Sequence, residues 1–385
     1  MKRILVSIAL FLILFEISAQ QVEIQPIVTG VPFLTITADA RASGMGDVGV
    51  ATSVDAFSQQ WNPAKFAFAE NKMGFSLSYA PYLESLVNDI GLLSANFYTK
   101  IDDRSAFATS IRYFTLGEIE LRQTAGEDAR IVKPNEFSLD GSYSLKLSET
   151  FSMAVLGRFI SSNLRFPDQT GSGDAQAANT FAVDLAAFYR SREIAYDNFS
   201  GRWRAGVNIS NLGNKITYDQ GGPENFLPTN LKAGVGFDFI LDMDNTLSIT
   251  TEFNKLLVPT PQDFNEDGVI NQTDNNEYQN IGFLSGVFQS FGDAPGGFSE
   301  ELQEITWALG AEYKYQDAFM IRTGYFNESD IKGARKFFSL GAGFKFEAIE
   351  VDMSYLFSTS RIPNPLENSL RISLTFNFGE EMFND

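Results

Sequence analysis

The residues between 263 and 274 carry the most specific chemical signal in the sequence, because side chains with oxygen atoms recur there at a regular spacing. The run reads D-x-N-x-D-G-x-I-x-x-x-D, with Gly268 at the sixth position, where a calcium loop turns sharply. Hard oxygen donors in this order are typical of Ca²⁺ sites. The donors that we expect to hold the ion are Asp263, Asn265, Asp267, the carbonyl group of Val269, Asn271 and Asp274.

The calcium interpretation has an alternative. The twelfth position is Asp274, where an EF-hand loop has a glutamate that binds the ion through both oxygens, and no flanking helix is evident from the sequence. Asp-Gly and Asn residues also form turns without any ion. An acidic, solvated loop therefore stays open as the second interpretation of these residues.

Gly44, Gly46 and Gly49 match the pattern G-x-G-x-x-G, which is the fingerprint of a dinucleotide-binding turn. That fingerprint requires a buried strand before it and a βαβ unit around it, and neither pattern is present. We expect instead that these glycines let the backbone turn tightly and pack closely inside a crowded interior.

The composition excludes most catalytic chemistry. The chain has no histidine and no cysteine, which excludes Ser-His and Cys-His nucleophiles, His-ligated metals and disulfides. A formal charge of −19 without a basic block argues against a nucleic-acid partner.

An enzyme that acts on lipid through carboxylates is the weakest of three function classes, because those carboxylates are expected to pair with cations. The carboxylates are Asp140, Asp184, Asp238 and Asp352, and the cations are Arg112, Arg158, Arg204, Arg322, Lys345 and Arg371.

The N-terminus carries an export pattern. Lys2 and Arg3 precede an apolar run from Ile4 to Phe15, and the small residues Ser18 and Ala19 follow. This pattern predicts a secretory signal peptide over residues 1–19. The run is too short for a membrane-spanning helix, which needs about 20 apolar residues.

From residue 72 onward, apolar and polar residues alternate in short segments, as in strands whose two faces differ. In the last segment, Leu370 and Ile372 alternate with Arg371 and Ser373. Most of these segments have about the 9–11 residues of a membrane strand. The segments lie near residues 72–82, 89–101, 105–115, 135–146, 149–161, 178–190, 202–212, 229–240, 245–255, 304–315, 319–327, 335–346, 349–358 and 369–378. We therefore predict an all-β, 14-stranded antiparallel transmembrane barrel over residues 72–385, with a soluble sandwich as the alternative.

The connections between these segments alternate between short and long, and the largest covers residues 256–303. Outer-membrane barrels have short periplasmic turns and long outward loops. We therefore expect a location in the outer membrane of a Gram-negative bacterium, with both termini in the periplasm.

Residues 20–71 break the alternation and predict a plug-like segment in or under the lumen. Their distinctive run contains Asp39, Arg41, Gly44, Gly46, Gly49, Trp61, Asn62, Pro63, Ala64 and Lys65. This run, leading into a barrel, resembles the PorV family of the type IX protein secretion system. Its Asn-Pro-Ala element is shared with the wider FadL-like transporters, which are similar in having fourteen strands and an N-terminal segment inside the barrel.

The resemblance implies an outer-membrane component that is not an enzyme. It implies three protein partners, namely the large translocon barrel, the C-terminal signal domains of secreted cargo, and a cell-surface attachment complex to which cargo is delivered. Membrane lipid surrounds such a barrel. The alternative is a FadL-like transporter of hydrophobic small molecules, which needs an apolar pocket and a gap in the wall.

Two of the long loops contain apolar residues that suit a partner. These residues are Phe226, Leu227, Phe283, Leu284, Phe288 and Phe291. The other possibility is that they fold back over the barrel mouth as a lid.

Overall fold

The computed structural model describes residues 26–84, 86–122, 128–164, 177–218, 222–360, 365–367 and 369–380. The predicted signal peptide over residues 1–19 lies outside these ranges. Within them, no helix is both long enough and apolar enough to cross a membrane.

One antiparallel sheet of 14 long strands closes on itself, which confirms the predicted barrel. The strands are β1 (Asn71–Pro81), β2 (Ile90–Lys100), β3 (Ser105–Leu116), β4 (Asn135–Lys146), β5 (Phe151–Asn163), β6 (Ala178–Arg190), β7 (Ser200–Gly213), β8 (Asn230–Ile240), β9 (Asn245–Leu256), β10 (Ile305–Tyr315), β11 (Phe319–Asn327), β12 (Lys336–Phe346), β13 (Ile349–Ser358) and β14 (Leu370–Glu380). Strands β1 and β14 pair with Leu77 opposite Leu374, so the sheet has no free edge between its first and last strands. The sandwich alternative is wrong.

The two faces of the sheet are those of a barrel in lipid. Ile372 points outward and is 47% exposed, whereas its neighbour Arg371 points into the lumen and is 1% exposed. The same alternation places Trp203 outside and Arg204 inside. A water-soluble barrel would bury its apolar face instead, so the reversed arrangement indicates that hydrocarbon surrounds this sheet.

The connections alternate as the sequence predicts. Short joins, such as residues 241–244 and 347–348, lie at one end of the barrel, which we call the short-turn end. The longest connection, residues 257–304, lies at the opposite end, which we call the long-loop end. The described parts of the connections also contain five strands of two or three residues, which are Ile119–Leu121, Arg130–Val132, Ile194–Ala195, Ile216–Thr217 and Glu224–Asn225.

Residues 30–69, here called the plug, lie inside the barrel and are mostly buried. Their main-chain amides bond to side chains of the wall, for example Ala40 to Ser373 at 2.8 Å and Gly46 to Ser339 at 2.8 Å. The plug contains four helical turns, which are Pro32–Thr35, Ala40–Gly44, Ser58–Trp61 and Pro63–Phe68. Three further helices lie in the longest loop, at Gln272–Asn280, Phe283–Gln289 and Phe298–Gln303.

Candidate functional site at the plug and the long-loop end

Asp39 joins the first α-helix of the plug to the second. Its carboxylate caps the helix Ala40–Gly44 by accepting the amide hydrogen of Ala42 at 2.7 Å. The same carboxylate accepts the indole N–H of Trp61 at 2.8 Å. Because a capping aspartate satisfies a main-chain donor that the helix leaves free, Asp39 fixes both the helix and the indole ring.

Arg41 anchors the plug to the wall. Its Nε and Nη2 atoms donate to the two carboxylate oxygens of Glu312 at 3.0 and 2.9 Å, and Nη1 donates to Asp55 at 2.5 Å. Arg322 also donates to Glu312, at 2.6 Å, and binds Asp352. Separating a buried network of this kind would leave unpaired charges, which cost several kcal/mol, about 3–5 for one broken pair. The network therefore holds the plug in its position.

The glycines of the family run allow close backbone approach. Gly46 has a φ of +74°, and a β-carbon there would lie 2.8 Å from the backbone nitrogen of Tyr325. At Gly49 a β-carbon would meet the indole ring of Trp61. Both positions therefore perform the packing role that we expected of them, and no βαβ unit surrounds them.

The Asn-Pro-Ala-Lys element closes the plug. Asn62 caps the turn Pro63–Phe68 and donates to the carbonyl oxygens of Val50 and Ala187, each at 3.0 Å. The buried ammonium group of Lys65 donates to the carbonyl oxygen of Gly49 at 2.8 Å and to Thr52 Oγ1 at 3.0 Å. The residues of the family run thus form one packed unit, although they are spread over more than twenty positions of sequence.

The lumen carboxylates largely pair as predicted. Arg158 binds Asp140 at 2.9 Å and Asp184 at 3.2 Å, and Arg204 binds Asp238 at 2.6 Å. Three cations were assigned wrongly. Lys345 binds Asp317 in a short turn at 2.5 Å. Arg112 donates to the plug carbonyls of residues 33, 34 and 36, and Arg371 lies 3.5 Å from Asp47.

Phe226 and Leu227 do not form an exposed surface, which corrects the prediction that they contact a partner. They are 5% and 2% exposed. The ring of Phe226 packs edge-on against Tyr278 of the longest loop, with 5.4 Å between centroids. Lys215 also donates to the carbonyl oxygen of Gln279 at 2.7 Å. The two loops therefore hold each other over the barrel mouth, as the lid interpretation requires.

The longest loop does expose apolar side chains, which we together call the apolar patch. It consists of Leu284, Phe288, Phe291, Phe298 and Leu302. Phe288 and Phe298 are 75% and 78% exposed, whereas Phe283 is half-buried. Leu302 was not predicted, and its spacing of four residues from Phe298 on one helix is the signal that would have found it.

Ion pairs fix the helix Phe298–Gln303, which carries two of the patch residues. Lys255 binds Glu301 at 3.0 Å and Glu304 at 2.6 Å, and Lys332 binds Glu300 at 2.5 Å. Burial raises the pKa of nearby Asp293 to about 6, and the charges of Glu304 and Glu301 add to this. The ion pairs of Lys255 and Lys332 thus hold this part of the patch in a fixed position.

The predicted calcium loop is folded around its own carboxylates. Asp263 accepts the amide hydrogens of Asp267 and Gly268 at 3.2 and 2.6 Å. Asp274 accepts those of Phe264 and Asn271, each within 2.9 Å, and the hydrogen bond from Asn271 lowers its pKa. Among the residues that the structure describes, no group of three or more acidic side chains is arranged to hold a metal ion. The calcium site stays a prediction.

One expectation about this loop was wrong. No flanking helix is evident from the sequence, but the helix Gln272–Asn280 begins directly after Asn271. Asn271 and Asp274 form a capping box at its start. The signal was the spacing of these two residues, which is typical of a helix N-terminus.

The family model described as "Type IX secretion system protein PorV" matches residues 18–263. A comparison with curated proteins finds no match.

Several solved barrels are similar in fold at low sequence identity. The CymD monoaromatic hydrocarbon channel is 13% identical with a TM-score of 0.49, covering 89% of this chain and 98% of that chain. The toluene transporter TodX of P. putida is 11% identical with a TM-score of 0.47, covering 88% and 98%. A Pseudomonas aeruginosa FadL homologue is 15% identical with a TM-score of 0.44, covering 89% and 99%.

Proposed function

Because the chain belongs to the PorV family of the type IX secretion system, we propose that it binds the translocon barrel and the C-terminal signal domains of secreted cargo in the outer membrane. It then passes the cargo to the cell-surface attachment complex. The observation that carries this proposal is the apolar patch, which stands exposed on a supported lid above a filled lumen.

The filled lumen favours contact at the surface over passage through the barrel. Two cavities beside the plug have volumes of about 450 and 170 Å³. A folded domain of 100 residues has a radius of gyration of about 13 Å and needs far more space. Buried residues such as Arg41 and Trp61 lie in the space that a cargo domain would have to cross. Cargo is therefore bound outside the barrel wall or on the loops.

The apolar patch suits such a contact. Exposed apolar surface on a soluble part of a protein usually marks an interaction site. Four of the five patch residues stand on two short helices, and Phe291 lies between these helices. The ion pairs of Lys255 and Lys332 hold the second helix in place. Since little order is lost on binding a surface that is already fixed, more of the contact energy contributes to affinity.

We infer the orientation of the barrel from the lengths of its connections. Outer-membrane barrels place their short turns in the periplasm. We therefore assign the short-turn end, where β14 ends, to the periplasm, and the apolar patch to the cell exterior, where secreted cargo emerges. The first described residues, 26–29, line a cavity at the long-loop end, so we keep the proposal of a periplasmic terminus for the C-terminus alone.

The test is a pull-down of the tagged protein from its own outer membrane in mild detergent, followed by mass spectrometry. The double variant Leu284→Ser and Phe288→Ser is compared with Ile270→Ser, which changes an exposed apolar residue of the same loop outside the patch. We expect the wild type and Ile270→Ser to retain a very large barrel and cargo with a shared C-terminal domain. The double variant should lose at least about 80% of the cargo. Equal cargo recovery from all three proteins would refute the role of the patch.

A carrier of hydrophobic small molecules is the second candidate, because a cavity of about 450 Å³ lies at the long-loop end. Recovery of a solitary barrel that carries an apolar ligand, without translocon or cargo, would favour this function over the first.

A further inference from the structure

Two of the helices in the longest loop turn an apolar face away from the protein. We call the three helices of this loop the first, second and third loop helices, which are Gln272–Asn280, Phe283–Gln289 and Phe298–Gln303. Leu284 and Phe288 are four positions apart on the second loop helix, and both are exposed. Phe298 and Leu302 have the same spacing on the third loop helix and are also exposed. Residues at this spacing share one face of a helix. Each of these two helices therefore has an apolar face that the described part of the chain does not cover.

The opposite faces of the same helices pack against the protein. A β-carbon at Gly286 of the second loop helix would lie 2.9 Å from the ring of Phe226 and 2.9 Å from Pro259. Glu301 of the third loop helix is buried and binds Lys255 at 3.0 Å. Because these contacts hold each helix by its inner side, the apolar faces stay directed to the exterior.

The loop that carries these helices has a large negative charge. Residues 257–304 contain no lysine or arginine and nine acidic residues, which are Asp263, Glu266, Asp267, Asp274, Glu277, Asp293, Glu300, Glu301 and Glu304. Three lysines of neighbouring segments contact the loop, and they are Lys215, Lys255 and Lys332. Nine negative charges against three positive charges leave an excess of six negative charges. In each of the other six connections at the long-loop end, acidic residues outnumber basic residues by at most two.

Part of this excess lies beside the second loop helix. Glu266 and Glu277 are exposed, and neither forms an ion pair with a residue that the structure describes. Glu277 belongs to the first loop helix, which two residues join to the second. The hydroxyl group of Tyr278 donates to the carbonyl oxygen of Pro259 at 3.0 Å, and Pro259 also packs against Gly286. The acidic first helix and the apolar second helix therefore rest side by side on the same residue.

Apolar faces beside uncompensated carboxylates favour one kind of partner surface. Burial of apolar side chains supplies the attraction at contact. Complementary charge speeds the encounter and selects the partner, whereas like charges that face each other cost several kcal/mol. A purely apolar surface gains nothing from the carboxylates, and an acidic surface is repelled by them. Only a surface that combines apolar and basic side chains uses both features.

We propose that the protein surface that docks on the apolar patch carries lysine and arginine side chains around an apolar centre. This inference rests on the proposed function, in which the patch binds the C-terminal signal domain of cargo, and it specifies the chemistry of the contact surface on that domain. The apolar side chains of the partner meet the faces of the second and third loop helices. Its cations approach the carboxylates of Glu266 and Glu277.

The first test measures the binding of dye-labelled peptides to the full chain in phosphatidylcholine nanodiscs, by fluorescence anisotropy. A chelator is present so that calcium does not neutralise the loop, and empty nanodiscs supply the blank. One peptide alternates leucine with lysine, the second leucine with glutamate, and the third serine with lysine. We expect the leucine-lysine peptide to bind about tenfold or more tightly than either of the others at about 0.1 M salt. Its advantage over the leucine-glutamate peptide should largely disappear at about 1 M salt, where charges are screened beyond about 3 Å. Equal affinity for these two peptides at the lower salt concentration would overturn the basic partner.

Charge reversal locates the interaction. Glu266→Lys combined with Glu277→Lys should weaken binding of the leucine-lysine peptide about tenfold or more. The control is Asp103→Lys combined with Glu347→Lys, which makes the same change in total charge at exposed positions of the short-turn end. We expect the control to bind within about twofold of the wild type, because the two ends are separated by more than a Debye length. Equal affinities of the two double variants would overturn the location. The gel shift on heating shows that both variants fold.

Cargo recovery separates a failure of this inference from a failure of the proposed function. The pull-down compares the charge-reversed variant of Glu266 and Glu277 with the Leu284→Ser and Phe288→Ser variant. We expect both variants to lose cargo, the charge-reversed one by about fivefold or more. Cargo that is lost only from the serine variant would overturn the basic partner and leave the patch as the cargo site. Cargo that both variants retain in full would refute the proposed function and this inference with it.

Discussion

Gly49 and Trp61 approach so closely that a β-carbon at Gly49 would lie 2.1 Å from Cδ2 of the indole ring. The ring also donates its N–H to Asp39 and supports the ammonium group of Lys232. One glycine thus sets the position of a ring that contacts both the plug and the wall.

Replacing this glycine should therefore loosen the plug. In Gly49→Ala the indole must move, and the hydrogen bond to Asp39 is lost, so we expect a destabilisation of about 1–3 kcal/mol. The measurement is the temperature at which the purified barrel loses its gel shift. Gly282→Ala is the control, because nothing lies within 4 Å of a β-carbon there. Equal midpoints for the two variants would contradict the packing role.

The bond between Arg41 and Glu312 should hold the plug in the lumen. Arg41→Met leaves Asp55 without its 2.5 Å partner and removes two of the hydrogen bonds of Glu312. Breaking a buried pair typically costs about 3–5 kcal/mol. Urea unfolding should show that the free energy of unfolding of Arg41→Met is lower than that of the wild type by this amount. A protease should also cleave the plug of the variant faster.

A double-mutant cycle separates this pair from general damage. If the interaction is direct, Arg41→Met combined with Glu312→Gln should cost less than the two single changes added together. Strict additivity would show that the two residues act independently.

The strands could be predicted from the sequence because a wall between lipid and a polar lumen imposes a two-residue period. Each of the 14 strands begins within about two residues of its predicted position. Strand β14 illustrates the reason, since Arg371 and Ser373 face the lumen while Ile372 faces outward. A single shift in register would place arginine in hydrocarbon.

The loops and the cavity could not be predicted in the same way. The burial of Phe226 depends on Tyr278, which lies in another loop about fifty positions away. The pairing of Lys232 with Asn254 depends on the register of two strands. No local pattern encodes either contact, because the period of a strand specifies a face and leaves the partner undefined.

The loop of residues 257–304, which covers the barrel mouth, should become more stable as the pH falls toward 4. Burial raises the pKa of Asp293 from 3.8 to about 6, so its charge disfavours the folded loop at neutral pH. Protonation removes that penalty as the pH falls through 6, and the gain is complete below the unfolded pKa. The carboxylate is half-exposed, so we expect a small effect of less than about 1 kcal/mol.

Hydrogen exchange of residues 257–304 at pH 7 and pH 5 measures this change. Protection should increase at pH 5 in the wild type and stay constant in Asp293→Asn. Asp274 is expected to act in the opposite direction, because its pKa is lowered and its contribution is lost only at lower pH. Greater protection at pH 7 than at pH 5 would be inconsistent with the assignment to Asp293.

The loop 263–274 should respond to calcium if its carboxylates exchange main-chain hydrogen bonds for an ion. Asp263 and Asp267 already point toward the same turn, where Gly268 adopts a φ of +89°. Extracellular calcium modules bind with dissociation constants of about 10⁻⁴–10⁻³ M. We therefore expect about 5 mM Ca²⁺ to slow hydrogen exchange across residues 263–280, whereas about 5 mM Mg²⁺ does not, because Mg²⁺ demands stricter geometry.

Two variants test whether the calcium response comes from this loop. Asp267→Ala should abolish the response, and Asp242→Ala, in a short turn at the opposite end of the barrel, should preserve it. Exchange that is the same with Ca²⁺ and with a chelator would leave the acidic, solvated loop as the correct interpretation.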